Sequence, residues 1–167
     1  MSAKDHENKA AGMSARVSVI TCSDTRTVDS DTSGNHIVTQ IQNAQHHLLS
    51  YQIIRDDPAL IVDCVYQQVQ QGADVILVNG GTGISSRDNS FEALGQIIES
   101  HIPGFGELFR MLSYEEIGAA AFLSRAQAGR IQRSVVFSMP GSTPAVRLAM
   151  EKLILPQIAH LIAELRK

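Results

Sequence analysis

Short apolar runs that end in polar or glycine residues predict four strands along the chain. The clearest is the unbroken run from Val75 to Val78, which lies between Asp74 and Asn79 and is typical of a fully buried strand. Similar runs predict three further strands: Arg16–Cys22, Leu49–Ile54 and Ser134–Ser138.

Between these runs, apolar residues recur with the 3.6-residue period of amphipathic helices. Ser33 is predicted to cap one helix, and a second begins at Asp57-Pro58, an N-cap followed by a proline at the first helical position. A third begins at Asn89, where Glu92 completes a capping-box pattern. Strands that alternate with helices in this way form parallel sheets, so we expect an α/β fold, a three-layer α/β/α sandwich with a mostly parallel sheet.

The C-terminal third of the chain departs from this alternation. Two short helices are predicted at Glu107–Leu112 and Glu115–Ser124. Thr143-Pro144 predicts the start of a long amphipathic helix, which Pro156 should kink.

Length and composition indicate a single domain. A chain of 167 residues is long enough to bury about 70% of its unfolded surface without disulfides. The polar residues 1–15 are predicted to be a disordered tail, and 16–167 the folded domain. Cys22 and Cys64 lie in apolar segments without a metal-ligand spacing, which favours reduced core thiols and a cytoplasmic protein.

Charge and hydropathy exclude two classes of partner. A net charge of −3 and a pI near 6.0 argue against an extended nucleic-acid surface, which needs a basic stripe. The chain also lacks an apolar run of about 18 residues, so we expect no membrane partner.

The main candidate for chemistry is the loop that follows the strand at Val75–Val78. Gly80-Gly81-Thr82-Gly83 allows a tight turn whose amides converge on an anion, although the same residues also fit a turn without a ligand. They match neither the dinucleotide fingerprint nor the phosphate loop that ends in lysine. Asp88 follows closely, and a carboxylate beside phosphate-binding amides suits Mg²⁺.

Other polar residues follow the remaining strands. Ser23 and Asp24 come directly after the first strand, at the end where parallel sheets bind ligands, but both residue types also stabilise turns. We interpret Asp29 and Asp31 as part of a solvated turn rather than a metal site. Asp56 has no role in capping, so it is either a surface carboxylate or a functional residue.

Two arginines, Arg110 and Arg125, lie on or next to the predicted short helices. They are candidates for anion recognition, and the alternative is a solvated side chain or a pair with a neighbouring glutamate such as Glu115 or Glu116.

Taken together, these segments resemble the MoaB/Mog family of molybdenum cofactor biosynthesis proteins. The order of the segments carries the resemblance, because each one alone is unspecific. The matching segments are Ser23-Asp24, Asp31–Gly34, Asp56, Gly80–Gly83 with Asp88, Phe91-Glu92-Ala93, Pro103–Glu107, Phe109-Arg110, Ser124-Arg125-Ala126 and Pro140-Gly141-Ser142. They span about Val17 to Ile158.

The resemblance implies Mg²⁺-dependent adenylylation of molybdopterin with ATP, which releases pyrophosphate. Asp56 and Asp88 match the two carboxylates that the family needs for activity; Asp88 is then a magnesium ligand and Asp56 its partner in holding metal or substrate. The implied substrate- and nucleotide-binding residues are Ser23, Asp24, Gly80, Gly81, Thr82, Gly83, Ser138, Pro140, Gly141 and Ser142.

One departure from the family pattern keeps an alternative open. The adenylylating branch usually has a Val-Thr-Pro type of helix start after Arg-Asp, where this chain has Asn89-Ser90-Phe91. The alternative is a non-catalytic carrier that binds molybdopterin, but the retained pair of aspartates favours an enzyme. The apolar region Phe105–Phe122 predicts self-association, and the resemblance implies a trimer or a hexamer.

Overall fold

Strands and helices alternate along residues 12–167, the part of the chain that the computed structural model describes. Their bounds in chain order are β1 Arg16–Cys22, α1 Thr32–Asn43, β2 His47–Ile54, α2 Pro58–Gln70, β3 Val75–Asn79, α3 Ser90–Ile97, β4 Ser100–His101, α4 Pro103–Ile117, a 3₁₀ helix Gly118–Leu123, β5 Gln127–Ile131, β6 Ser134–Met139, α5 Thr143–Ala149, a π-helical segment Met150–Ile154 and α6 Leu155–Leu165.

The strands form one six-stranded sheet in the order β2-β1-β3-β6-β5-β4. The first four are parallel, with Val19 opposite Leu77 and Leu77 opposite Phe137, whereas β5 and β4 are antiparallel additions. The predicted α/β fold with a mostly parallel sheet is therefore confirmed.

Helices cover both faces of the sheet, which makes three layers. On one face Val19 and Leu77 pack with Ile37 of α1 and with residues of α4, α5 and α6. On the other face Ile76 packs with Ile61 of α2 and with residues of α3. Burial on both faces explains why β3 has no polar residue between Asp74 and Asn79.

Sequence patterning missed the two antiparallel strands. β5 carries polar residues and Gly129 without regular alternation, so its sequence alone does not predict a strand. Its pairing with β6 stabilises it as one. Gly129 is required because an added Cβ would lie 2.3 Å from Cγ2 of Ile98 and 2.6 Å from the carbonyl oxygen of Ser100.

The helix starts are partly as predicted. Asp57 caps α2 by accepting from two amides, as expected. The cap of α1 is Asp31, which accepts from the amide of Gly34, so the assignment to Ser33 was wrong. Asn89 precedes α3 but makes no side-chain cap. The helix α5 begins at Thr143, and the residue in the cap position is Ser142.

The C-terminal third differs from the prediction in two places. Instead of two short helices, α4 runs unbroken from Pro103 to Ile117 and passes into the 3₁₀ helix at Gly118, which has a φ of +64°. Before Pro156 the chain is π-helical over Met150–Ile154. Proline lacks an N–H and its ring displaces the carbonyl four residues earlier, so the irregularity falls in the preceding turn.

The domain begins earlier than predicted. Ala15 is fully buried, and its carbonyl accepts from the amide of His47. Residues 12–15 therefore do not all belong to a tail, and 1–11 lie outside the described residues. Cys22 and Cys64 are buried free thiols, as expected. Among the described helices, none has the length and hydropathy needed to span a bilayer.

Candidate active site

The candidate site lies where the strand order reverses between β1 and β3. The connection from β1 to β2 runs through α1 on one face, and the connection from β2 to β3 runs through α2 on the other. The two connections leave a crevice between them at the carboxyl ends of the strands, which is where open α/β sheets bind ligands.

Asp56 and Asp88 both lie against the glycine loop Gly80–Gly83 in this crevice. A Cβ added to Gly81 would lie 2.3 Å from Oδ2 of Asp56, and one added to Gly83 would lie 2.7 Å from Oδ2 of Asp88. Gly81 also has a φ of +66°, which L side chains rarely adopt. The glycines thus allow two carboxylates to reach the loop backbone, and the structure brings the two predicted acids together.

Asp24 belongs to the same crevice. Its Oδ1 accepts from the amide of Asp56 at 3.3 Å, and Oδ1 of Asp56 accepts from the amide of Asn89 at 3.1 Å. We call Asp24, Asp56, Asp88 and the glycine loop the acidic crevice. Apart from the contacts of Asn89 with Asp56, the carboxylates of Asp56 and Asp88 accept no hydrogen bond from any described residue.

The crevice disfavours the charge on Asp56. Burial, together with the negative charges of Asp88 and Asp24, raises the pKa of this carboxyl, while the Asn89 amide opposes the shift. Carboxylates that gather with incomplete hydrogen bonding are typical of a site that a cation completes.

The donor set fits magnesium only if substrate oxygens take part. Within residues 12–167, no group of three or more histidine, cysteine, aspartate or glutamate side chains is arranged to hold a metal. Mg²⁺ usually binds through one or two carboxylates, waters and substrate phosphates, which is what Asp88 and Asp56 offer.

The glycine loop also presents unused amide donors. The N–H groups of Gly81, Thr82, Gly83 and Ile84 meet no acceptor among the described residues. Amides of this kind bind anions without adding charge to the protein.

Arg125 holds the far side of this loop, a role that sequence reasoning missed. Its guanidinium donates to the carbonyls of Thr82 (2.7 Å from Nε) and Gly83, pairs with Glu92, and lies 4.6 Å from the centroid of the Phe91 ring. The predicted capping role of Glu92 and a pair with Glu115 or Glu116 are therefore replaced by this contact. Hydrogen bonds from Arg125 lower the pKa of Glu92.

The second predicted loop, Pro140-Gly141-Ser142, contacts the first. A Cβ on Gly141 would lie 3.0 Å from Cα of Gly80, so the two backbones touch. Ser142 is exposed, and with Pro140 it lines a small cavity of about 100 Å³. Ser138 lies within β6, and its buried hydroxyl has no partner among the described residues.

A second polar cluster, centred on Asp31, lies on the α1 side of the same edge. Asp31 is fully buried; it accepts from Arg26 at 3.0 Å and from the hydroxyl of Tyr51 at 2.6 Å, besides the amide of Gly34. Arg26 also donates to the carbonyl of Gly141 at 3.0 Å. We call these residues, with Ser33, the Asp31 network. The interpretation of Asp31 as a solvated turn residue was wrong, because its side chain is fully buried and both of its oxygens accept hydrogen bonds.

Of the two residues after β1, one serves the turn. The hydroxyl of Ser23 accepts from the amides of Thr25 and Arg26, which is turn chemistry. Asp24, by contrast, is exposed and reaches Asp56. Asp24 thus lies in the acidic crevice, whereas Ser23 stabilises the turn beside it.

Comparisons with known proteins agree with this architecture. Residues 18–160 match the family described as "Probable molybdopterin binding domain". Molybdenum cofactor biosynthesis protein B of Bacillus subtilis is 46% identical over 173 aligned positions, covering 100% of this chain and 99% of that protein.

Solved structures give the same result. A crystal structure of a molybdenum cofactor biosynthesis protein B is 49% identical, covers 93% of this chain and 98% of its own, and has a TM-score of 0.91. The tungsten cofactor synthesizing protein MoaB from Pyrococcus furiosus is 34% identical, with 94% and 100% covered and a TM-score of 0.84. On the strength of the fold, the crevice and these matches, the chain belongs to the MoaB/Mog family of molybdenum cofactor biosynthesis proteins.

Proposed function

We propose that the protein transfers the adenylyl group of ATP to molybdopterin. An oxygen of the terminal phosphate of molybdopterin attacks the α-phosphorus of ATP, the bond to the β-phosphate oxygen breaks, and pyrophosphate leaves. One observation carries the proposal: two carboxylates with few hydrogen-bond partners and a row of unpartnered amides meet in one crevice.

The residues of the crevice suit a reaction between two polyanions. Such a transfer needs no protein nucleophile, because alignment and charge neutralisation supply most of the catalysis. The glycine-loop amides would bind phosphate oxygens, and Asp88 with Asp56 would hold Mg²⁺. The ion supplies positive charge to the phosphates when it is bound. On the second loop, Gly141, whose backbone touches Gly80, and Ser142 are the proposed substrate contacts, and Asp24 lies beside Asp56.

A turnover assay with ATP, Mg²⁺ and molybdopterin tests the proposal. The Asp88→Asn variant keeps the size of the side chain but removes its charge, and we expect product formation to fall at least ~100-fold because neutralisation of phosphate charge is worth several kcal/mol. The exposed Asp29 offers a matched control, and Asp29→Asn should retain wild-type activity. Equal activity in wild type and Asp88→Asn would contradict the proposal.

A non-catalytic carrier of molybdopterin is the second candidate. The observation that favours it is the hydrogen bond from the amide of Asn89 to Asp56, which occupies one oxygen of a proposed catalytic carboxylate. The same assay separates the two functions. A wild-type protein that binds molybdopterin but forms no pyrophosphate from ATP is a carrier.

We further propose that the protein self-associates, as a trimer or a hexamer. Apolar side chains on α4 and the 3₁₀ helix are exposed, and Phe122 is 76% exposed. At the other end of α4, an apolar groove of about 470 Å³ is lined by Phe105, Leu108 and Pro156 among others. A protruding aromatic side chain and a groove on one chain suit head-to-tail association, which gives a ring when the rotation between neighbouring chains closes. Sedimentation of a monomer at micromolar concentration would contradict this.

A further inference from the structure

We propose that Arg125 is a positioning residue that aims the amides of Gly83 and Ile84 at the phosphate groups of the substrate. The proposal rests on the proposed function, because it assigns a cause to the shape of the same loop. Arg125 itself is not placed against the substrate.

The contacts of Arg125 fix two consecutive carbonyls of the loop. Its Nε donates to the carbonyl of Thr82, and one terminal nitrogen donates to the carbonyl of Gly83. The side chain is 23% exposed, and its stacking on Phe91 together with the pair to Glu92 holds the guanidinium plane in place.

Peptide geometry converts these contacts into a direction for the amides. A trans peptide is planar, and its C=O and N–H point in opposite directions; no peptide bond in the described chain is cis. Since the carbonyls of Thr82 and Gly83 point at Arg125, the N–H groups of Gly83 and Ile84 point away from it. Neither N–H meets an acceptor among the described residues, so both remain available to an anion.

A second effect follows from the charge balance. Glu92 accepts from both terminal nitrogens of Arg125 and neutralises it, so the arginine shapes the loop without itself attracting phosphate. Lysine cannot replace this arrangement, because a single ammonium group lacks the planar fork that reaches two carbonyls and a carboxylate together.

The test uses inorganic pyrophosphate with Mg²⁺ as the probe and nuclear magnetic resonance of the backbone amides as the readout. In the wild type, the signals of Gly83 and Ile84 should shift on titration. In Arg125→Lys we expect pyrophosphate affinity to fall about tenfold, the equivalent of one hydrogen bond to a charged group, and the two amide shifts to shrink. A merely structural role for Arg125 would leave those shifts intact at saturation.

Two further variants keep the test decisive. Arg130→Lys is the matched control, because Arg130 lies on β5 near Arg125 in sequence but pairs with Glu99 instead, and it should titrate like the wild type. Glu92→Gln covers the case in which Arg125→Lys fails to fold, and its readout is the amide shifts of Gly83 and Ile84, which should shrink less than in Arg125→Lys. Its pyrophosphate affinity is not compared, because removing the charge that neutralises Arg125 also favours anion binding.

The outcomes separate the two proposals. Wild-type shifts that persist unchanged in Arg125→Lys and in Glu92→Gln would overturn the role of Arg125 and leave the adenylyl transfer standing. If the amide signals of Gly83 and Ile84 do not shift when pyrophosphate is added to the wild type, the loop does not bind phosphate, and both proposals are contradicted.

Discussion

Two aspartates at the same edge of the sheet, Asp31 and Asp56, have opposite environments. Asp31 is fully buried, and both of its oxygens accept hydrogen bonds; although burial alone would raise its pKa, bonds from Thr21, Tyr51, Gly34 and Ser33 lower it. Asp56 is half-buried, accepts hydrogen bonds only from Asn89 among the described residues, and has a raised pKa. Residue type is the same, so the neighbours decide which carboxylate stabilises the fold and which stays available for chemistry.

The difference also teaches how the two regions depend on each other. Through Arg26, the Asp31 network reaches the carbonyl of Gly141, whose backbone touches Gly80 of the acidic crevice. The Asp31 network, in which both oxygens of the aspartate accept hydrogen bonds, therefore supports a loop that lies next to the acidic crevice. Proteins commonly hold a site of this kind in place with rigid surroundings.

The largest effect in this comparison is expected for Asp31→Ala, as a loss of stability. The change leaves Arg26 without its carboxylate and Tyr51 and Gly34 without an acceptor, which should lower the free energy of unfolding by about 3 kcal/mol. Urea denaturation at neutral pH measures it, and the exposed Asp29→Ala is the control.

The pH dependence sharpens this prediction. Because the folded-state pKa of Asp31 is lowered, its contribution is present above the ordinary pKa of aspartate and is lost as the pH falls through the lower folded value. The gap between wild type and Asp31→Ala should therefore narrow below about pH 4. A gap that widens in acid would show that Asp31 is not the satisfied carboxylate described above.

A smaller effect is expected in the acidic crevice for Gly81→Ala. The new methyl group would meet Oδ2 of Asp56 at a φ of +66°, so we expect a loss of about 2 kcal/mol and displacement of Asp56. Gly104 in α4 is the matched control, since nothing lies within 4 Å of its added Cβ. Gly104→Ala should leave stability unchanged or slightly raised, and equal losses in both variants would contradict the close approach of Asp56 to the loop.

The elements set by local chemistry were predictable from the sequence, and those set by distant partners were not. β1, β3 and the Asp57-Pro58 helix start depend on neighbouring residues, and the structure has them as expected. β5 depends on pairing with β6, the burial of Asp31 depends on Tyr51, and the role of Arg125 depends on Glu92, 33 positions away. No short-range pattern encodes these contacts.

The candidate site divides in the same way. The resemblance located Asp56, Asp88 and the glycine loop, and the structure brings them into one crevice. It gave no direction for the loop amides and no partner for Asp24, because both depend on how the loops pack. The roles of these residues in catalysis stay predictions.

The smallest expected effect, that of Asp24→Asn, tests the charge repulsion within the acidic crevice. Burial contributes most to the raised pKa of Asp56, and the charges of Asp88 and Asp24 add to it. Asparagine keeps an oxygen for the amide of Asp56 but removes one of these charges, so the pKa of Asp56 should fall. If the ionised Asp56 is needed for turnover, activity is lost as the pH falls through its pKa. The acid limb of the pH–rate profile should therefore move to lower pH in Asp24→Asn and stay in place in Asp29→Asn.

The unfolding temperature should change as well. A carboxyl whose folded-state pKa is raised destabilises the fold when it is ionised, so Asp24→Asn should unfold at a slightly higher temperature at neutral pH. A limb that moves to higher pH, or a lower unfolding temperature, would mean that Asp24 supports Asp56 rather than repels it.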